Sequence, residues 1–427
     1  MHRTGRRWLI LILFFAFGIR LAAAVWWDHQ CEGRFFFGDS ESYWVLAGRI
    51  AACEPYRYGR FGSIFRTPGY PLLLAPAMLV AGRDMPTMAA RLVSVCFGTL
   101  TVAGVAWLSG RLFDHRTALA AAGLCAVYPG SIFTSTLILA EAPFAACLVF
   151  CVGLLATAAM SKSHASAVKF GAAGGVLAGA ATLIRPSFLL FLPFAAILGV
   201  IFSHDRRRAL LICAAAAATT AVVMCPWWIR NYRVCGRFVP TTLQVGPSLY
   251  DAFNPEADGS SCMDFTESVI RNVVAHMPEA DDVEIELAVD RETKRAAITW
   301  LREHPHEAMR LAIRKFLRTW TPVPNLPALR RPVPAAMIAL SYSFVMVTGI
   351  WGVVRTMKHG FAYHVVWYPA VYFALLHCVF VGSIRYRQPV MPLLVAFSAT
   401  VVTSGLRRLR NSHVRRETST TERTPQS

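Results

Sequence analysis

Trp8-Leu9-Ile10-Leu11-Ile12-Leu13-Phe14-Phe15-Ala16-Phe17-Gly18-Ile19-Arg20-Leu21-Ala22-Ala23-Ala24-Val25-Trp26-Trp27 is the stretch that decides the fold. It has the ~20 residues that roughly 30 Å of hydrocarbon demands of a helix rising ~1.5 Å per residue, so it reads as a spanning helix. Arg3, Arg6 and Arg7 precede it. A cleavable leader would have a shorter apolar centre and a small-residue cleavage site, which Ala22-Ala23-Ala24 before Val25-Trp26-Trp27 imitates only weakly. The run therefore reads as a retained anchor with its N-terminus inside.

The rest of the chain has the same character. Hydrophobic residues make up 55% of the 427 positions and charged residues only 16%, too apolar for a soluble protein of this length. The formal charge of +18 raises the question of nucleic acid. However, the basic residues fall in short clusters between apolar runs, where topology and phospholipid account for them, so no nucleic-acid partner is expected and membrane lipids are. Further spans are predicted at Met88–Leu112, Ala118–Thr136, Ala142–Met160, Phe170–Ile184, Ser187–Phe202, Ala209–Ile229, Pro334–Val354, Tyr363–Gly382 and Pro389–Gly405. The expectation is an all-α polytopic membrane bundle of about ten transmembrane helices.

Gly69–Gly82 is apolar but short and carries Pro71 and Pro76, so an interfacial or re-entrant segment competes with a crossing. Cytoplasmic loops carry the excess of Lys and Arg. If Gly69–Gly82 does not cross, Arg111–Arg116, Lys162–Lys169, Asp205–Arg208, Arg355–His359 and Arg407–Arg416 all fall inside. The loop 28–87 and the segment after Arg230 then face outward. The expected division is an N-terminal transmembrane module (1–229, including outer loop 28–87), a mainly helical outer segment (230–332), C-terminal transmembrane helices (333–405) and a basic, disordered cytoplasmic tail (406–427).

The outer segment is patterned. Pro278 with Asp281 and Asp282 starts a helix running to about His304, with Val283, Leu287, Ile298 and Leu301 as its apolar stripe. Pro305 starts another, in which Leu311, Phe316, Leu317 and Trp320 alternate with Arg310, Arg314, Lys315 and Arg318. Two readings of that helix stay open: lying on a membrane surface, or packing on the outer segment itself.

Charges that break the membrane rules carry the functional argument, because they are costly at membrane depth and have partners or substrates. Asp39 and Glu41 lie in Gly38-Asp39-Ser40-Glu41-Ser42-Tyr43, just after the first span. Glu141 sits at a turn between two spans, Arg185 interrupts another, Arg385 and Arg387 flank Tyr386 at the last, and Arg230 follows Pro226-Trp227-Trp228. Each taken alone has a structural reading; Glu141, for instance, can simply pair with Arg185. Together they put carboxylates and guanidiniums on one membrane face. That suits a reaction between a hydroxyl needing a base and a phosphate needing cations.

These residues also carry a resemblance. Gly38-Asp39-Ser40 with Tyr43 and Ala47, Arg66-Thr67-Pro68-Gly69-Tyr70-Pro71, Ala90-Arg91-Leu92, Ala140-Glu141-Ala142-Pro143, Leu183-Ile184-Arg185-Pro186 and Pro226-Trp227-Trp228-Ile229-Arg230-Asn231-Tyr232 resemble the GT-C membrane glycosyltransferases. The likeness is to the bacterial glycosyltransferase family 39, with its protein mannosyltransferase and aminoarabinose transferase relatives. It implies a GT-C helical bundle with juxtamembrane helices in the first outer loop. It also implies an inverting hexosyl- or pentosyltransferase (EC 2.4) in a bacterial cytoplasmic (inner) membrane, its active site facing the periplasm or exterior. The donor would be a polyprenyl-phosphate sugar and the acceptor a lipid, glycan or protein hydroxyl. By resemblance Asp39 is the general base, Glu141 helps hold the acceptor or a metal, and Arg185, Arg385 and Arg387 lie near the donor phosphate. Glu41, Tyr43, Arg66, Tyr70 and Arg230 complete the expected substrate-binding set.

Aminoarabinose transferases carry Glu-Lys-Pro-Pro where this chain has Phe65-Arg66-Thr67-Pro68, so a possible metal ligand is missing. No cofactor and no metal are expected. Of the eleven cysteines, Cys31, Cys53, Cys235 and Cys262 are outward; whether Cys31 and Cys53 pair stays open. The competing classes are a transporter or flippase of lipid-linked sugars, which should show inverted repeats or mid-membrane acids, and a polysaccharide polymerase or ligase.

Overall fold

The computed structural model describes residues 3–82, 86–324 and 330–421, and every regular element in them is a helix. The first half holds α1 (Arg3–Gln30), α2 (Gly38–Ala51), α3 (Gly69–Ala81), α4 (Thr87–Leu112), α5 (His115–Val127), α6 (Pro129–Thr134), α7 (Glu141–Met160), α8 (His164–Ile184), α9 (Phe191–Phe202) and α10 (Arg206–Cys235). The middle holds α11 (Val245–Ala252), α12 (Phe265–His276), α13 (Asp282–Glu303) and α14 (Pro305–Trp320). The end holds α15 (Pro332–Thr356), α16 (Phe361–Val379), α17 (Ile384–Arg387) and α18 (Met391–Thr421).

Eight helices among the described residues are long and apolar enough to cross a membrane: Thr4–Gln30, Thr87–Leu112, Glu141–Met160, His164–Ile184, Arg206–Cys235, Pro332–His359, Phe361–Val379 and Ile384–Arg407. The chain is a multi-pass membrane protein. Two of the ten expected spans fall short of this length. Ala118–Thr136 breaks between α5 and α6, because Tyr128, forced out of the helical region by Pro129, is extended (φ −67°, ψ 114°). The break frees carbonyls at the end of α5, and Arg20 on α1, fully buried, donates to those of Cys125 and Ala126 and to Ser131 Oγ, each at 3.1 Å. Ser187–Phe202 becomes a short 3-10 turn at Pro186–Phe188 followed by α9. Gly69–Gly82 forms α3, 13 residues that stay helical through Pro76 but lack spanning length.

Spanning helices are joined by hydroxyls as well as by apolar packing. Thr219 and Thr220 of α10 donate to the Ala172 and Gly175 carbonyls of α8, both at 2.8 Å, and Thr348 of α15 meets Ser398 of α18 at 2.6 Å. α10 runs on through Pro226 to Cys235 and closes at Gly236, whose φ of +66° is the left-handed C-terminal stop. Over residues expected as a disordered tail from 406, α18 continues as far as Thr421, where it ends. No glycine or proline interrupts residues 406–421, so nothing there stops the helix; 422–427 lie outside the described residues.

α13 begins where expected, at a capping box: Asp281 accepts from the Val283 and Glu284 amides, and Glu284 reaches back to the Asp281 amide. Its packed face differs from the expected stripe. Ile285, Glu286, Ala288, Val289 and Asp290 are buried while Ile298 is exposed. Two carboxylates turn the helix: Asp290 accepts from Gly246 N at 2.7 Å, and Glu286 accepts from Ser63 N and Ile64 N at 2.8 and 3.0 Å. All eleven cysteines are free, Cys31, Cys53, Cys235 and Cys262 included.

Candidate active site

Asp39 is the second residue of α2, where a carboxylate is favoured by the partial positive charge of a helix N-terminus. Its Oδ1 lies 2.6 Å from Arg66 Nη2 and its Oδ2 lies 2.7 Å from Arg385 Nη2. Burial alone would raise the Asp39 carboxyl. The charges and hydrogen bonds of Arg66 and Arg385 outweigh burial and hold it well below the ordinary carboxylate range.

Arg385 does not stop at Asp39. Its Nε is 2.6 Å from Glu141 Oε1, and the same oxygen is 3.5 Å from Arg185 Nη1. The five charges therefore form one chain, Arg66–Asp39–Arg385–Glu141–Arg185, drawn from the segment between α1 and α4, the start of α7, the end of α8 and the start of α17. Glu141 is 2% exposed, and its Oε2 is buried with no hydrogen-bond partner among the described residues. Each guanidinium commits only part of its five N–H donors to these carboxylates, so donors remain for a further anion.

Aromatic rings steady the arginines. Tyr386 lies beneath both Arg185 (5.1 Å) and Arg385 (5.3 Å), offsetting their mutual repulsion, and is itself stacked on His377 of α16 at 4.3 Å. Arg66 lies over Tyr43 and Phe65, at 5.4 and 4.7 Å, and donates to Ser42 Oγ at 3.2 Å. Tyr43 packs edge-on against buried Tyr70 at 5.0 Å.

The loop carrying Arg66 is held from two sides. Gly69 lies so close to α8 that a Cβ there would stand 2.5 Å from the Leu183 and Ile184 backbone, so the segment carrying Arg66 packs directly on the end of α8. Arg230, one of the expected substrate residues, stands a step back. It donates to the Tyr56 carbonyl at 2.7 Å, and Tyr56 in turn donates to the Arg66 and Thr67 carbonyls. Trp227 and Asn231 pin the Val239–Thr241 strip from the same helix.

Arg387 does not stand where the charge pattern placed it. Arg387 is fully buried away from the charge chain, donating to the Thr319 and Thr321 carbonyls and lying 3.6 Å from the Tyr342 ring centre. Glu41 is exposed and pairs with none of these groups. Arg91 is structural: it joins Asp28 of α1 (2.7 Å) to the Thr136 carbonyl (2.5 Å).

Sequence reasoning missed Glu286 and Tyr386. The Glu286 clamp on Ser63 and Ile64 holds the loop three residues before Arg66, from a helix 220 positions further on, and only the fold reveals it. Burial raises this carboxyl to about 7, against the lowering effect of the two amides and Arg230. Tyr386 had a signal, its place between two arginines.

A divalent cation at this site would need carboxylate oxygens that guanidiniums already hold; only Glu141 Oε2 is left, and no group of three His, Cys, Asp or Glu gathers among the described residues. That donor set does not suit a metal.

The helical bundle has the fold of solved membrane glycosyltransferases of the GT-C type. Residues 66–229, less than half of the chain, match the dolichyl-phosphate-mannose-protein mannosyltransferase family. The oligosaccharyltransferase AglB from Archaeoglobus fulgidus, solved with an inhibitory peptide and dolichol-phosphate, superposes with a TM-score of 0.56 at 16% identity, over 99% of this chain and 53% of that one. Its apo form gives 0.58 at 14% identity, over 97% and 52%. The chain thus spans about half the length of those enzymes. ArnT from Cupriavidus metallidurans, bound to undecaprenyl phosphate, gives 0.46 at 13% identity, over 92% and 77%. No curated protein is significantly similar in sequence.

Proposed function

We propose that the chain transfers a sugar, with inversion, from a polyprenyl-phosphate-linked donor to an acceptor hydroxyl on the outer face of the cytoplasmic membrane. The observation that carries this reading is the Arg66–Asp39–Arg385–Glu141–Arg185 chain, which joins a potential base to guanidiniums with N–H donors to spare. The dolichol-phosphate in the similar AglB structure agrees with a lipid-phosphate donor.

In this mechanism the acceptor hydroxyl attacks the anomeric carbon, the bond from that carbon to the phosphate oxygen breaks, and the hydroxyl proton passes to Asp39. The lipid phosphate leaves with an added negative charge, which Arg66, Arg385 and Arg185 offset with bidentate hydrogen bonds. At rest the two guanidiniums make Asp39 a weak base. A bound phosphate shares those guanidiniums and cancels part of their field, so donor binding strengthens the base it needs. Glu141 Oε2 accepts a hydrogen bond from the acceptor. The arginines supply the charge neutralisation and no metal takes part.

The test is to give membranes containing the chain a panel of polyprenyl-phosphate sugars and follow the release of lipid phosphate. Release by wild type and its loss in Asp39→Asn supports the reading. Near wild-type release by the variant overturns it.

A further inference from the structure

α14 packs on the protein through Leu311, Lys315 and Thr319. The adjoining face is apolar and left open: Met309, Ile313, Phe316 and Leu317 are 64, 55, 42 and 61% exposed. An apolar stripe this open on a soluble surface would be a liability, so what covers it needs a physical answer.

The depth of α14 gives that answer. Its buried Lys315 donates to the carbonyl of Val379, the last residue of spanning helix α16, at 3.1 Å. Arg318 donates to the Gly382 carbonyl, just beyond that helix, at 3.1 Å. Gly382 is itself so near the Lys315 backbone that a Cβ would stand 2.4 Å from its carbonyl oxygen. Tyr342 of spanning helix α15 donates to the Trp320 carbonyl at 2.7 Å, and Arg387, at the start of the last span, donates to the Thr319 carbonyl at 3.0 Å. α14 therefore lies against the end of α16 and the start of the last span, the level at which hydrocarbon gives way to headgroups, while its C-terminus meets α15 part-way along that helix.

Charge sits beside the stripe. Arg310 and Arg314 help line a cavity of about 300 Å³ with Trp300, His304, Glu307 and Leu311. Glu307 takes up Arg310 at 2.8 Å, while Arg314 has no ion-pair partner among the described residues. An apolar face bordered by arginines at headgroup depth is the pattern of a helix that lies in the membrane plane.

We propose that α14 docks in the headgroup layer of an anionic phospholipid surface, its Met309–Ile313–Phe316–Leu317 stripe in the acyl boundary and Arg310 and Arg314 on lipid phosphates. The packed face of the same helix holds the Val379–Gly382 turn that leads to Arg385, so lipid contact is joined to the site. The docking itself does not depend on the transferase reading.

Hydroxyl-radical labelling of the full chain, read by mass spectrometry, tests it without any sugar donor. The probes are nanodiscs of phosphatidylcholine alone and of phosphatidylcholine mixed equally with phosphatidylglycerol. Met309 and Phe316 are expected to be strongly protected in the mixed discs, less protected in phosphatidylcholine, and progressively exposed as salt is added to the mixed discs. R310Q/R314Q should lose protection by about fivefold per arginine in the mixed discs. Labelling of wild-type Met309 in mixed discs as fast as in the free 305–320 peptide overturns the proposal. Equal protection in both lipids, insensitive to salt, overturns its anionic part. The lipid and salt comparisons use wild-type protein, so misfolding of the variant cannot decide the result.

Discussion

Arg385 and Arg387 leave one short helix in different directions, because side chains two residues apart on a helical turn diverge by roughly 200°. Arg385 reaches Asp39 and Glu141, whereas Arg387 is sunk among the carbonyls of Thr319 and Thr321. Arg385→Gln is therefore expected to raise the donor KM by roughly tenfold to a hundredfold with folding kept, as a charge-assisted pair is lost. Arg387→Ala is expected to cost about 1–3 kcal/mol in thermal unfolding, since two buried carbonyls lose their donor. Asp39→Asn should lower the transfer rate by roughly 10²- to 10⁴-fold. The depressed Asp39 acidity adds a pH signature. A carboxyl held below its ordinary value stays ionised and stabilising above that value, and this contribution disappears only as pH falls through the lowered one. The acid limb of wild-type kcat/KM should thus lie below the ordinary carboxylate range and move upward in Arg385→Gln. Asp39, Glu141 and Arg185 were legible in the sequence because charges beside long apolar runs violate a strong rule. Arg387 obeyed the same sign and was misread, for its partners are backbone carbonyls that leave no mark in sequence.

The helices between α10 and α15 were legible at their ends, where proline and aspartate do their work in local geometry. Their packed faces were not, because α13 is turned by what its carboxylates reach rather than by its apolar residues. Glu286 is the clearest case: in sequence it is one acid on a charged helix, and in the fold it fastens the loop of Arg66. Its carboxyl is raised to about 7, so the folded protein prefers it protonated. Stability should fall as pH rises from the ordinary Glu value through 7, which is opposite in sign to the Asp39 contribution. Glu286→Gln keeps an acceptor for the two amides and should flatten the unfolding midpoint between pH 5 and 8. Gly69→Ala works at the same scale. It should lower stability by about 1–3 kcal/mol and lower transfer as well, because the added carbon meets the Leu183–Ile184 backbone and shifts the segment that carries Arg66.

At the scale of the whole molecule, hydropathy located the apolar runs but not their breaks, since a Pro at 129 and a turn at 186 divide two runs whose composition alone looks continuous. Arg20 stayed hidden inside the run that first identified the fold, its need being created by the break at Pro129 on another helix. Sidedness is tested at Glu41, which is exposed, and not at neighbouring Ser40, which is buried. Glu41→Cys should react with a membrane-impermeant maleimide from outside intact cells, and labelling only after lysis would place the site on the other face. Chelation of divalent cations is expected to leave lipid-phosphate release unchanged. The long reach of Arg385 to Asp39, 346 residues apart, also bears on how the protein is made. Ribosomes deliver the acid first and its cation last, after the membrane helices between them have been threaded. An unfinished chain holds the carboxylates of Asp39 and Glu141 without Arg385, so the charge chain closes only once the last spanning helix has been made.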